Sequence, residues 1–209
     1  MKLEKNRRDY GKEGLNSEDL NDLPAKQLEL WVADAVNSNE LDPTAMVVST
    51  VDASGMPDSR VLLLKEIKNE TLIFYSNYDS SKGKQLVDNC NVALNFYWPS
   101  MVRQVRVRGS VKKLARADSE KYFNTRPLDS RVAAIISKQS AVLESKDSLY
   151  TEYENAIAEK TNTTCPENWG GYVVIPVEFE FYKGRTNRLS DRVHYHKVVN
   201  TWVKSYLYP

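Results

Sequence analysis

Arg60-Val61-Leu62-Leu63-Leu64-Lys65 sets two cations around four residues of the kind usually buried. In a strand, an offset of five sends the two charges to opposite faces. They can serve one site only if a bulge intervenes or the site wraps the strand end; otherwise they are the solvent-facing ends of a core strand. Farther on, Tyr75-Ser76-Asn77-Tyr78-Asp79-Ser80-Ser81-Lys82 reads as a strand, a polar turn and a helix start capped by Ser80 or Ser81. Free N–H groups, hydroxyls and an ammonium converge there, which suits a phosphate as well as it suits a capped surface helix. Tyr122, Arg126 and Ser130 recur every fourth residue, but Pro127 rules out one continuous helix through them. Arg126 then ends one helix and Ser130 lies in the first turn of the next, for which Asp129 is a cap candidate. A guanidinium, two hydroxyls and a helix N-terminus suit a second phosphate, although a helix corner with a surface arginine has the same pattern.

Weaker signals surround these. Ser137-Lys138-Gln139-Ser140 is a polar stop after an apolar helix. Trp169-Gly170-Gly171 joins a flat aromatic surface, or a core tryptophan, to two residues that admit close backbone approach. Arg188-Leu189-Ser190-Asp191-Arg192 puts two arginines on one face if extended. His194 and His196 share a strand face without an evident carboxylate or cysteine partner, and Cys90 and Cys165 lack metal-ligand spacing, so no metal centre is expected. Two anion sites, many aromatics and no evident nucleophile fit a phosphorylated cofactor that does the hard chemistry while the protein positions it.

The elements that must hold these groups follow from periodicity. Leu28, Trp31, Val32, Ala35 and Val36 form one helical stripe after Leu23-Pro24. Strands are expected over 44–51, 59–67, 71–76, 91–98, 101–114, 171–182, 192–199 and 201–206, with a turn at Asp52–Gly55. A short helix covers 80–90. A helical block of about 116–160, with Leu149, Tyr153, Ala156 and Ile157 on one face, interrupts the strands. Antiparallel strands at hairpin-like spacing predict a β-rich α+β barrel with flanking helices, and the alternation of a doubly wound fold is absent. Residues 1–22 are polar and read as a flexible arm that orders only where something docks it, followed by a single domain over 23–209.

Lys+Arg number 29 against 28 Asp+Glu, so the basic excess of a general nucleic-acid binder is missing and no nucleic-acid partner is expected. No stretch approaches the ~18 apolar residues of a membrane span. No apolar leader is visible, and two cysteines do not make a disulfide framework, so a cytoplasmic location without membrane association is expected.

Taken in order, several stretches resemble the pyridoxamine (pyridoxine) 5′-phosphate oxidase family. They are Arg7-Arg8-Asp9-Tyr10, Asp42–Met46, Arg60–Lys65, Phe74–Asn77, Arg103–Val105, Tyr122–Pro127 with Asp129-Ser130, Ser137–Ser140, Trp169–Gly171 and Arg188–Arg192. The resemblance spans nearly the whole chain. It implies an FMN-binding split β-barrel, assembled as a homodimer with FMN at the interface. It further implies that pyridoxamine and pyridoxine 5′-phosphate are oxidised to pyridoxal 5′-phosphate, with O2 as acceptor giving H2O2, and ammonia released from the amine. Carried over by motif, FMN would be held by Arg60, Val61, Leu62, Leu63, Leu64, Lys65, Tyr75, Ser76, Ser81, Lys82, Gln104, Gln139, Ser140, Trp169 and Arg192. Substrate would be bound by Lys65, Tyr122, Arg126, Ser130, Arg188 and Ser190, under an arm bearing Arg7 and Tyr10. Lys65, Arg188 and Ser190 would stand nearest the reaction. This chain departs from the family pattern where Ser81, Ser190 and Tyr206 replace the usual Arg, His and Arg. A flavin reductase-like enzyme, or a non-catalytic binder of FMN or pyridoxal phosphate, would need the same phosphate sites.

Overall fold

The computed structural model describes residues 10–159 and 163–209. Nine strands form one sheet in which every pairing is antiparallel. They are β1 (Ala45–Val51), β2 (Pro57–Leu63), β3 (Glu66–Lys68), β4 (Thr71–Asn77), β5 (Asn91–Trp98), β6 (Arg103–Lys113), β7 (Trp169–Lys183), β8 (Asp191–Val198) and β9 (Thr201–Tyr206). The helices are α1 (Pro24–Asn37), α2 (Ser81–Asp88), α3 (Arg116–Thr125), α4 (Leu128–Ile136) and α5 (Lys146–Ala158).

The sheet path runs β2-β1-β5-β6-β7-β4-β3, with β8 and β9 added on β7. Its two ends, β2 and β3, are separated in sequence by Leu64 and Lys65 alone. Two residues span only ~7 Å of extended chain, so the sheet must curl until its ends meet. The expected single strand over 59–67 is therefore two strands: Leu64 N–H turns to the carbonyl of Thr44 and Lys65 N–H to that of Ile73 on β4.

Alternation along the strands fills the interior with Val48, Phe74, Leu94, Phe96, Val105, Val107, Phe179, Phe181 and Tyr195. Helix α1 adds Leu28, Trp31 and Ala35 to this core, where Trp31 meets Phe181 edge-on at 5.1 Å. Val36, from the same expected stripe, is exposed. The described part of the N-terminal segment is docked: Leu20 is buried, Leu15 N–H bonds Asp191, and Ser17 N–H bonds the Tyr206 hydroxyl.

Helix α3 stops at Thr125 because Arg126 turns extended ahead of Pro127, as the residue before a proline should. Pro127 occupies the N-cap position of α4 and makes no side-chain cap. This corrects the expectation for Asp129: it lies inside the first turn, where its charge complements the helix dipole. Ser80 caps α2 through a bond from Gly83 N–H, and Ser145 caps α5.

The β6–β7 ladder shifts register between Arg108 and Gly109. A Cβ on Gly109 would stand 2.3 Å from the carbonyl oxygen of Ile175, so the bulge needs glycine here. Gly109→Ala should lower stability by about 1–3 kcal/mol, a few degrees in Tm. Thermal unfolding followed by circular dichroism measures this, and an unchanged Tm would contradict the packing described.

Candidate functional site

A cleft of about 430 Å³ opens where β4, the start of β7, the end of β2 and the α3–α4 corner meet. Its walls include Leu62, Lys65, Tyr75, Ser76, Asn77, Tyr122, Arg126, Ser130, Ser137, Gln139 and Trp169. The structure thus gathers eight of the charged, polar and aromatic residues singled out from sequence. Asn77 and Ser137 join them without having been assigned a role, although both lie inside motifs already noted.

Arg60 and Lys65 are reconciled by the strand break. Arg60 stays on β2, where its guanidinium donates to Thr50 Oγ1 (2.7 Å), Asp58 Oδ2 (2.6 Å) and the Val48 carbonyl (3.1 Å). Lys65 lies beyond the corner, in the cleft. The intervening run is not buried throughout: Leu64 is, but Val61 is 64% and Leu63 40% exposed, because β2 ends the sheet path and shows its outer side chains.

At the floor, Tyr75 stacks on Tyr122 (3.9 Å between centroids, 17°) and on Trp169 (5.4 Å, 13°). Burial foremost, then the Glu66 charge, pushes the Tyr75 phenol up to about 12, so it stays neutral. Trp169 is itself buried, and Arg116 fixes the turn before it by donating to the carbonyls of Cys165, Pro166 and Trp169. The close approach allowed by Gly170 is made by Tyr78, whose Oη would stand 2.2 Å from an added Cβ.

Two cations here are withdrawn from water, one in part and one almost wholly. The Arg126 guanidinium lies 4.7 Å over the Trp169 ring, and its Nη1 is buried without a hydrogen-bond partner among the described residues. Burial lowers its pKa, opposed by Tyr122 and Cys165. A buried charged donor left unpaired is costly, so this arrangement suits an incoming anion. Lys82, on the first turn of α2, is also buried; its Nζ donates to Ser80 Oγ (2.9 Å) and Gln139 Oε1 (2.8 Å). Burial, then the Arg60 charge, brings its pKa down to about 8, while Asp58 opposes them. Ser76 Oγ donates to the same Gln139 oxygen at 3.3 Å. Ser81, exposed, and Ser140, in the left-handed region at φ 72°, line an adjoining hollow with Asn77, Ser137 and Gln139. The donor set is two cations, hydroxyls, amides and a helix N-terminus, which fits two phosphate monoesters beside a flat ring.

The remaining expected residues lie elsewhere. Gln104, Tyr182 and Arg192 form one cross-strand row over β6, β7 and β8. Tyr182 pairs with Arg192 thirteen residues along β7 from Trp169, a contour of about 40 Å at ~3.3 Å per residue. Gln104 donates to Asn95 (2.6 Å), and Arg192 to Glu180 (2.8 Å) and to the Tyr208 carbonyl (2.8 Å). Ser190 is buried, with its hydroxyl 2.9 Å from that of Tyr182, and Arg188 is exposed at φ 60°. Tyr10 packs by Gly184 at this second locality, and Arg7 lies outside the described residues. The hollow of about 510 Å³ beside Tyr10, Arg103 and Lys183 has ion-paired walls: Arg103 meets Asp34 at 2.6 Å and Lys183 meets Glu13 at 3.7 Å.

Tyr182 and Glu180 carried no expectation. The alternation of Glu178, Glu180 and Tyr182 with Phe179 and Phe181 was the available signal. The reading of His194 needs correction, since Glu178 Oε1 lies 3.1 Å from its Nε2. Among the described residues no three His, Cys, Asp or Glu side chains form a metal-ligating group. None of the described helices is long and apolar enough to cross a membrane.

Residues 32–158 match the family pattern described as pyridoxamine 5′-phosphate oxidase. Residues 169–209 match the pyridoxine 5′-phosphate oxidase C-terminal dimerisation region. A pyridoxine/pyridoxamine 5′-phosphate oxidase of Legionella pneumophila (strain Paris) is 48% identical over 205 residues, covering 97% of this chain and 95% of its own. A Haemophilus influenzae protein of the same name is 40% identical over 210 residues, covering all of both chains. Among solved structures, PhzG from Burkholderia lata 383, in complex with tetrahydrophenazine-1-carboxylic acid, superposes with a TM-score of 0.90 at 24% identity, over 95% of this chain and 100% of that one. A pyridoxamine 5′-phosphate oxidase-related, FMN binding protein from Nostoc punctiforme gives 0.72 at 17% identity, over 85% and 95%. At these identities the structures speak for the fold alone.

Proposed function

Proceeding from the fact that the chain belongs to the pyridoxamine 5′-phosphate oxidase family, we propose which of its residues carry the reaction. The chain is an oxidoreductase acting on pyridoxine and pyridoxamine 5′-phosphate, uses a flavin, and assembles as a homodimer. The reading proposed beyond this is that the flavin is FMN, that it sits between the subunits, and that O2 is the electron acceptor. The observation that carries it is a pair of cations at one aromatic-floored cleft: Arg126, which lines it with Nη1 buried and unpaired among the described residues, and the buried Lys82, which joins it through Gln139. Two phosphorylated ligands meeting at one reaction centre need two such anchors.

Lys82, the α2 N-terminus, Ser76, Gln139, Ser140 and Arg60 form the FMN phosphate end, with Ser81 beside them. Arg126, Ser130, Tyr122 and Lys65 bind the substrate phosphate. Tyr75 and Trp169 supply flat surface, and Val61–Leu64 supply backbone and apolar contact along β2. Gln104 and Arg192 stand too far along β7 to reach the same cleft within one chain. They complete it as Gln104 and Arg192 of the partner subunit, together with Arg188, Ser190 and the arm bearing Tyr10 and Arg7. Within this arrangement residues 23–209 act as one domain.

The bound flavin supplies the acceptor for a hydride from the substrate 4′ carbon and the route by which both electrons reach O2 as H2O2. The protein's own part is placement. Arg126, Ser130 and Lys65 grip the phosphate remote from the reacting carbon, and that grip holds the ring in a reactive orientation. The stacked Tyr75 and Trp169 exclude water beneath it, and Arg188 sets positive charge beside the ring. The direct test is spectral: purified protein should carry a flavin absorption band that bleaches on anaerobic addition of pyridoxamine 5′-phosphate, with peroxide formed on readmitting air. Protein that takes up no FMN would overturn the proposal.

Arg126→Ala should raise KM for the phosphorylated substrate about ten- to a hundredfold, the worth of a charge-assisted hydrogen bond of ~1.5–3 kcal/mol, while FMN stays bound. Release of FMN with an unchanged KM would exchange the two phosphate assignments.

The depressed pKa of Lys82 gives a pH dependence of fixed sign. Only its protonated form attracts the phosphate, whose own last proton is lost near pH ~6. FMN affinity of the apoprotein should therefore fall as pH rises through about 8. At one pH unit above that value the loss should approach about tenfold. Lys82→Arg should flatten the profile, and riboflavin, lacking the phosphate, should show none. An FMN titration that is flat between pH 7 and 9 would refute it.

A further inference from the structure

Glu180 has no role in the chemistry assigned so far, yet it is a buried carboxylate set between Phe179 and Phe181 on β7, at 7% exposure. Its two oxygens are divided between two arginines on the flanking strands. Oε1 accepts from Arg192 Nε on β8 at 2.8 Å, and Oε2 from Arg106 Nη1 on β6 at 3.1 Å. The Arg106 side chain is half exposed and reaches no other acceptor among the described residues. Arg192 is more constrained. Glu180 holds its Nε, the Tyr208 carbonyl takes Nη1 at 2.8 Å, and Nη2 has no hydrogen bond among the described residues. The free end of that fork lies in the row shared with Tyr182 and Gln104. In the next row His194 stands opposite Glu180, but its imidazole is engaged by Glu178, which also takes Arg108. Glu180 is therefore the acid that fixes the direction of the Arg192 guanidinium.

We propose that Glu180 is a positioning residue for the flavin: its buried carboxylate aims Arg192 and thereby sets the flavin affinity that Arg192 contributes. This rests on the reading above that Arg192 faces FMN across the dimer. A guanidinium on a side chain with four rotatable bonds loses much of its freedom on binding, and a buried carboxylate that has already fixed it removes that cost from the flavin-binding step. A carboxylate is needed because each guanidinium takes a separate oxygen, which a glutamine amide cannot match with its single acceptor.

The test is a double-mutant cycle on FMN affinity, read by quenching of flavin fluorescence on titration of apoprotein, with Tm and dimer mass measured alongside. Arg192→Met should weaken FMN about tenfold or more. Glu180→Gln should weaken it about three- to tenfold, and the Glu180→Gln/Arg192→Met double variant should be no weaker than Arg192→Met alone. Arg106→Met, which removes the other partner of the same carboxylate, should leave FMN affinity within about twofold. Glu180→Gln that lowers Tm but leaves FMN affinity intact would overturn the inference and assign Glu180 a purely structural role. So would strict additivity in the cycle, or an Arg106→Met variant as impaired as Glu180→Gln. If Arg192→Met itself binds FMN normally, the placement of Arg192 at the flavin is wrong, and the role of Glu180 falls with it.

Discussion

Strand β7 is the constraint on which the rest of the molecule depends. Its 15 residues pair with β6 along most of their length, with β4 at the start and with β8 at the end. Trp169 at one end joins the cleft with Lys65, Tyr75 and Arg126, while Tyr182 at the other joins Gln104 and Arg192. A continuous hydrogen-bonded strand does not fold back on itself, so β7 keeps these two groups of residues at its opposite ends. The C-terminal dimerisation match covers β7–β9, the same elements that carry the second locality. On the proposed reading, assembly and the completion of the site are then one problem, met by one strand. The exposed Val61 and Leu63 of β2 and the exposed Ile175 and Val177 of β7 leave apolar surface that a monomer gains nothing by displaying.

Charge is managed differently at the two localities. On the β6–β7–β8 face every acid is matched: Glu180 takes Arg106 and Arg192, and Glu178 takes Arg108 and His194. Those arginines are oriented before any ligand arrives. In the cleft, by contrast, Arg126 meets rings, and Lys82 meets only neutral oxygens of Ser80 and Gln139. A cation withdrawn from water without an anion raises the energy of the protein, and a phosphate bound there as proposed would recover that energy. The two solutions suit their tasks, with fixed direction on one side and unspent charge on the other.

The sequence made most of the architecture legible. Strands at 91–98 and 201–206 have the expected bounds, because clear alternation sits between polar turns. The break at Leu64 was not legible, since Val61–Ile67 reads as one strand by any local measure; the break is imposed by the need for β2 and β3 to meet. Asp129 was misjudged as a cap because proline in the flanking position already ends the preceding helix. Of the site, the cations and hydroxyls that gather at the cleft could be picked out from helix starts and hydroxyl spacing. Glu180 could not, because an acid alternating with phenylalanines looks solvent-facing until the two arginines on the neighbouring strands are seen.

Ser81, Ser190 and Tyr206, the three positions at which the sequence reads as departing from the pattern it resembles, differ in how the fold engages them. Tyr206 spends its hydroxyl on Ser17 N–H and so ties the N-terminal segment to β9. Ser190 turns its hydroxyl to Tyr182, and the Arg185 N–H approaches it at 3.4 Å, so it braces the turn between β7 and β8 from within. Ser81 is exposed at the first position of α2, next to the buried Lys82. An arginine at 81 would add a second cation at the helix start. Without it, a phosphate bound there as proposed would depend more on a lysine, whose charge varies with pH in a way that a guanidinium's does not. Tyr206 and Ser190 are thus both engaged inside the fold. At the third, Lys84 and Lys138 line the same hollow as Ser81, while Arg60 is already held by Asp58 at 2.6 Å. On the proposed reading, the flavin-phosphate end of this chain therefore draws on lysine charge, which pH can remove, where an arginine at 81 would add a charge that it cannot.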